Sequence, residues 1–337
     1  MKVVKIQAYK AGHVRLEDAV LPSPGKNEVL IETHYSAISP GTELAWLHHM
    51  ENTPGEFPYY PGYSGCGRVV AKGENVKEPE VGDMVVANLR HWSYDIVEAG
   101  SCVLLPESVS PIEASPFFLA SISLQGIRKA DVQIGDRVAV LGLGAIGNLA
   151  AQLAFVAGAG SVTGIDTVSW RRTLAEKCGV KITGADGCRE EHNSMYDVVI
   201  EATGVPAAIN TALQMARPLG TVVLLGSTRG LTDGVNFYQN VHRKGVTVVG
   251  AHTIHRAKSA DDRFGHFRSA EQDAETIIKL LQAGRIVLKP LVSESADPGD
   301  AQSVYNRLLA KEDNLMLVVF NWGNASGQHT FSGCRRM

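Results

Sequence analysis

Three observations in this 337-residue sequence predict an α/β fold, with a mainly β, barrel-like domain joined to a doubly wound parallel sheet. Short β-like runs broken by Gly, Pro and Asn fill residues 1–126. Strand-like and helix-like segments then alternate over residues 127–252. A glycine-rich turn, placed between a five-residue β run and an Ala/Leu-rich helical stretch, opens that alternation.

In the first stretch Met1-Lys2-Val3-Val4-Lys5-Ile6 alternates like a strand, and Val29–His34, Gly67–Ala71, Met84–Ala87 and Val103–Leu105 read as strands. In the second, Arg137–Leu141, Ser161–Ile165, Asp197–Glu201, Gly220–Gly226 and Val246–Gly250 read as strands. Asn148–Ala157, Arg171–Cys178 and Ala207–Ala216 read as the helices between them. From residue 253 the alternation stops, leaving helices at Ala270–Ala283 and Pro298–Ala310 and a strand at Leu315–Phe320. The expected division is 1–126 as one domain, 127–252 as the nucleotide-type sheet, and 253–337 returning to the first domain. The tail after Phe320 is polar and aperiodic and reads as loose.

Composition narrows the function classes. A net charge of −3, with no Lys/Arg block, offers no general attraction to nucleic acid or to anionic lipid. No apolar run is long and continuous enough for a membrane span, and the N-terminus lacks the pattern of a signal peptide. Five scattered cysteines without a C-x-x-C argue against a disulfide framework and for a reducing compartment, so a cytoplasmic location is expected.

Gly142-Leu143-Gly144-Ala145-Ile146-Gly147 is the strongest motif, because it follows a strand, opens a helix and precedes a strand that ends in Asp166. Gly142 permits the tight turn, Gly144 lets the backbone approach a pyrophosphate, and Gly147 lets helix and strand pack closely. The helix N-terminus at Ala145 and Ile146 offers unpaired N–H groups to the phosphates. Asp166 stands where a carboxylate accepts from adenosine ribose hydroxyls, which favours NAD over NADP. Arg171 and Arg172 keep NADP open; a surface role with Arg171 lying over the adenine is the plainer reading. Thr203, Gly226 and Ser227 follow the carboxyl ends of two further strands and should face the same cofactor.

Pro61-Gly62-Tyr63-Ser64-Gly65, Val81-Gly82-Asp83, Gly135-Asp136-Arg137-Val138, the Gly142–Gly147 turn and Glu201-Ala202-Thr203-Gly204, in that order, resemble the medium-chain dehydrogenase/reductase superfamily over residues 1–320. The resemblance implies a GroES-like catalytic domain, a Rossmann domain, and pairing of nucleotide-domain edge strands into a homodimer through a run such as Val246–Gly250. Zinc-bearing members carry a Cys where Ser39 stands, a His-Glu pair where Tyr63 and Ser64 stand, and a third ligand near Phe118-Leu119. The four-cysteine structural lobe is missing as well. Catalytic zinc needs three converging N, S or O ligands, so no zinc is expected. A relocated site would have to use Cys66, His48, His49 or His91, none at ligand spacing. The segment Ile38-Ser39-Pro40-Gly41-Thr42-Glu43 resembles a subgroup that includes bacteriochlorophyllide hydroxyethyl dehydrogenases and proteins of specialised metabolism.

Without a metal, oxidation of an alcohol needs a proton acceptor and a donor to the developing oxyanion. Thr42 matches the family hydroxyl that contacts substrate oxygen, and Tyr63 stands in the place of the metal-binding His. Ser39 and Ser64 are weaker candidates, and His48 is a titratable outsider beside Trp46 and His49. His252 and His255, past the last sheet strand, are comparable outsiders. Turn capping by Ser39 and Thr42, and cavity filling by Tyr63, compete with these roles; for Glu43 a structural role is favoured. The expected activity is an NAD-linked dehydrogenase/ketoreductase on a small hydroxylated alcohol or ketone. An NADPH-dependent enone reductase and a non-catalytic nucleotide-binding protein are the alternatives.

Overall fold

The computed structural model describes residues 1–53, 55–180, 182–185, 192–255 and 268–323. Cys188, Cys334 and the tail from residue 324 lie outside the described residues.

Strands β1 (Lys2–Lys10) and β2 (His13–Val20) form an antiparallel hairpin. Next come β3 (Glu28–Ala37), α1 (Pro40–Leu47), β4 (Gly65–Lys72), β5 (Met84–Ala87), β6 (Tyr94–Glu98), β7 (Val103–Leu104) and the short α2 (Pro111–Ala114). A long helix, α3 (Phe117–Ala130), leads to β8 (Arg137–Leu141), α4 (Ala145–Ala157), β9 (Ser161–Ile165), α5 (Ser169–Lys177) and β10 (Ile182–Gly184). Then follow β11 (Tyr196–Glu201), α6 (Pro206–Met215), β12 (Ala216–Leu224), β13 (Thr247–Gly250), α7 (Ala270–Gln282), β14 (Val292–Ala296), α8 (Ala301–Leu309) and β15 (Leu317–Asn321).

One sheet has seven strands, in the order β14-β15-β3-β4-β5-β7, with β6 also paired to β3. The other runs β10-β9-β8-β11-β12-β13, every pair parallel. That order reverses between β8 and β11, which puts a crevice beyond their carboxyl ends, where ligands bind in open α/β sheets. Strand β8 is buried on both faces from Val138 to Leu141, as a central strand covered by helices must be. The α/β class with a Rossmann-type parallel sheet stands as expected.

Three details differ from the sequence reading. Helix α3 begins inside a stretch read from its residues as mainly β, where only the family resemblance implied a central helix near Phe118-Leu119. Its buried Ser121 and Ser123 donate back to the Phe117 and Leu119 carbonyls, so polar residues sit in its core face without loss of hydrogen bonds. Hairpin strand β2, rich in charges, also escaped the apolar pattern. The tail was read as loose from Asn321, yet Asn321 ends β15 and Trp322 is 1% exposed, its indole donating to Ser36 Oγ at 2.9 Å. A lone aromatic beside polar residues carries no period by which a sequence reading could bury it.

Candidate active site

Helix α1 begins at Ser39, its N-cap, with Pro40 preset for the first turn. The Ser39 side chain makes no capping bond. Glu43 caps in its stead, one carboxylate oxygen accepting from the Ser39 amide at 2.8 Å. The Ser39 and Thr42 hydroxyls lie beside the Tyr63 phenol and favour its ionised form. Two hydroxyls from the start of α1 and one phenol from the turn before β4 are therefore neighbours. The Tyr63 ring packs edge-to-face on Phe118 at 5.3 Å, so cavity filling and hydroxyl presentation coexist. Burial pushes the Tyr63 phenol up to about 12, helped by the Glu43 charge and opposed by the Ser39 and Thr42 hydroxyls. At neutral pH it is an uncharged donor.

Beneath this cluster lies a buried network that the sequence reading missed. The second Glu43 oxygen accepts from His91 Nε2 at 3.0 Å and from the Tyr305 hydroxyl at 2.5 Å. His91 Nδ1 meets Ser36 Oγ at 2.8 Å. With the Trp322 indole donating to Ser36, the Ser36 proton can go to His91 Nδ1, which puts the ring proton on Nε2, facing Glu43. A buried carboxylate saturated by three donors holds the start of α1 rigidly. The partners come from residues some 50 and 260 positions away, so no local pattern could have signalled them.

The other candidates are dispersed. Ser64 Oγ donates to the Ser115 carbonyl at 2.6 Å and accepts from the Phe118 amide at 3.2 Å, a tether for the start of α3. His48, offered as an acid/base, caps the far end of α1 and lies against Gly12 in the β1–β2 turn. Burial and nearby His13 lower its pKa. Its ring therefore lies toward the hairpin. His49 packs on Phe57, and Cys66 donates to the Pro111 carbonyl. His252 Nδ1 accepts from the Ile254 amide.

Zinc fits this donor set poorly. The positions that the resemblance assigns to its ligands hold a serine hydroxyl, a neutral phenol and the first turn of an apolar helix at Phe118-Leu119. Among the described residues no three His, Cys, Asp or Glu side chains gather as ligands.

The dinucleotide turn is built at the carboxyl end of β8. Gly142 has φ +86°, and Gly144 is the N-cap of α4, leaving that helix's first amides to the crevice. Asp166 is buried, with its carboxylate accepting from the Leu143 and Val168 amides at 2.8 Å each. Arg171 Nη1 stands 3.7 Å from Asp166, and Arg172 donates to the Asp166 carbonyl at 2.6 Å. Thr203 packs against Gly142, and Gly226 packs against Thr203 and Gly204. Gly142, Thr203 and Gly226 thus share one wall; Ser227, exposed, follows it. Two hydrogen bonds tie the segment after α1 to the loop after β12, Asn52 Nδ2 to the Thr228 carbonyl at 3.0 Å and Arg229 Nη1 to the Glu51 carbonyl at 3.3 Å. A cavity of about 410 Å³ between α3, α4 and α7 holds none of these residues.

Comparison with known proteins agrees with this architecture. Residues 25–108 match the alcohol dehydrogenase GroES-like domain, and residues 145–263 match the zinc-binding dehydrogenase family. The chain is 26% identical to sorbitol dehydrogenase of Gallus gallus, across 86% of this chain and 88% of that protein. It is 28% identical to D-guloside 3-dehydrogenase of Escherichia coli, across 86% and 91%. A Sinorhizobium meliloti structure bound to NADP superposes with a TM-score of 0.80 at 21% identity, covering 95% of this chain and 99% of that one. Together with the 3-2-1-4-5-6 strand order and the glycine turn, these matches show that the chain belongs to the zinc-type alcohol dehydrogenase-like medium-chain superfamily.

Proposed function

We propose that this medium-chain oxidoreductase is a zinc-independent NAD-dependent dehydrogenase/ketoreductase. It moves hydride between nicotinamide and a secondary alcohol or ketone of a small hydroxylated molecule, such as a sugar, a cyclitol or a natural-product intermediate. The observation that carries this reading is the set Ser39, Thr42 and Tyr63: Ser39 and Tyr63 stand where zinc-bearing relatives carry ligands, and both Ser39 and Thr42 neighbour the Tyr63 phenol. The nicotinamide, when bound, supplies or accepts the hydride. Gly144 and the amides at Ala145 and Ile146 hold the pyrophosphate, Asp166 the adenosine ribose, and Arg171 lies along the adenine. Thr203, Gly226 and Ser227 line the nicotinamide half. Tyr63 donates a hydrogen bond to the substrate oxygen, and Thr42 carries the alcohol proton onward with Ser39 as its neighbour. Named relatives that act on sorbitol and guloside support a polyol-like substrate. The Ile38–Glu43 pattern supports a zinc-less subgroup.

Testing means assaying polyols and secondary alcohols with NAD and NADP, before and after chelation, with metal content measured alongside. Turnover with NAD that survives chelation, at far below one equivalent of zinc, is expected. A stoichiometric ion whose removal abolishes turnover would overturn the reading, and so would NADPH-only turnover of enones.

A homodimer is part of the proposal, because β13 is the outer strand of its sheet with Val248 43% exposed, and Leu231, Phe237 and Tyr238 nearby in sequence are also exposed. Light scattering should return twice the 36.2 kDa chain mass; a monomer removes this element. No helix among the described residues is long and apolar enough to cross a membrane. The free thiols of Cys66, Cys102 and Cys178 support a reducing, cytoplasmic setting.

A further inference from the structure

Glu201 closes β11 and is fully buried. One of its carboxyl oxygens receives three donors: the Thr203 amide at 2.7 Å, the Thr203 hydroxyl, and the Gly204 amide at 3.2 Å. The other oxygen, Oε2, is buried with no partner among the described residues. The residue's main-chain carbonyl accepts from the Leu225 and Gly226 amides at 2.9 and 2.8 Å. A single residue therefore fixes both loops that border Gly142, and Thr203 is packed so closely that a methyl on Gly142 would lie 2.7 Å from its Cγ2.

From this geometry we infer that Glu201 is a positioning residue, which braces the Thr203–Gly204 wall of the dinucleotide site as a neutral acid and weakens cofactor binding when it ionises. An anion needs donors on both oxygens, and here one oxygen has none. Among the described residues no ion pair or hydrogen bond brings a cation to it. Arg137 of β8 and Arg217 of β12 pair with Asp197 at the opposite end of β11. Helices α4 and α6 carry no ionisable side chain, and on α3 Arg128 pairs with Asp273 while Lys129 donates to the Gly250 carbonyl. Asp166, one strand beyond β8, adds only like charge. Burial raises the Glu201 pKa above the ordinary 4.5, outweighing the pull of its three donors. A bound pyrophosphate would favour the neutral form further.

The inference rests on the reading that the crevice binds a nicotinamide dinucleotide. The probe is NADH, titrated by fluorescence with wild type and Glu201→Gln from about pH 5 to about pH 9, the side on which a raised carboxyl titrates. Wild-type affinity should fall about three- to tenfold as pH rises, the size of a like-charge contact at intermediate dielectric. Glu201→Gln, neutral and near-isosteric, should keep the low-pH affinity throughout. Parallel slopes in the two proteins, or affinity lost at every pH in the variant, would overturn the inference. Should the variant not fold, calorimetry of wild type in buffers of different ionisation enthalpy decides: NADH binding should take up protons on the alkaline side, and zero uptake is the contrary result. Failure of NADH to bind at any pH would remove the cofactor reading together with the inference, whereas binding with an unaltered slope removes the inference alone.

Discussion

Gly144→Ala should abolish NADH binding, by about a hundredfold or more, without loss of stability. A methyl at Gly144 meets nothing within 4 Å in the protein, and its φ of −61° is open to any residue. Unfolding free energy should therefore move by no more than about 0.5 kcal/mol. The space the methyl enters is the one assigned to the pyrophosphate. Gly147→Ala should behave in the opposite manner. Its methyl would fall 1.7 Å from the Gly142 carbonyl oxygen, a main-chain atom that cannot swing aside, so α4 must pull away from β8. A cost of about 3 kcal/mol or more is expected, with cofactor binding lost as a consequence of the displaced turn. Thermal unfolding and NADH fluorescence titration on both variants separate the two mechanisms. Wild-type affinity in Gly144→Ala would remove the phosphate from this turn.

The second large effect belongs to Tyr63. Tyr63→Phe should lower kcat by about 10²- to 10³-fold while leaving NADH affinity within about twofold, because only the hydroxyl and not the ring's packing on Phe118 is lost. Thr42→Val should cost less, about tenfold, since Ser39 still reaches the phenol. The pH dependence has a definite sign. The folded phenol is pushed up to about 12 against an ordinary 10.0, so it remains a donor through the physiological range. The unfolded chain ionises first, and this group's contribution to stability is lost as pH rises from 10 toward 12. Rates measured against pH should therefore show no alkaline loss from Tyr63 near neutrality. Unchanged kcat in Tyr63→Phe would return the residue to a purely packing role.

Both predictions draw on chemistry visible in the chain and on contacts that were not. The sequence by itself determined the parallel sheet and the dinucleotide turn. A five-residue strand with four consecutive apolar residues, three glycines at fixed spacing and an acid at the end of the next strand are local facts, and local sterics give them one meaning. It also determined that Ser39, Tyr63 and Phe118 cannot supply zinc with three ligands, because that depends on side-chain identity alone. Tertiary structure decided which hydroxyls are neighbours. Turn capping competed with a proton-relay role for Ser39 and Thr42; Glu43 accepts from the Ser39 amide and the Ser39 side chain makes no cap, which leaves that hydroxyl beside Tyr63. The structure turned His48 toward Gly12 and buried His91 and Tyr305 against Glu43. It also left one oxygen of Glu201 without a donor among the described residues. Those assignments depend on residues far apart in sequence meeting in a low-dielectric interior, where the pairing of each polar group fixes its protonation state, and spacing along the chain carries no record of such meetings.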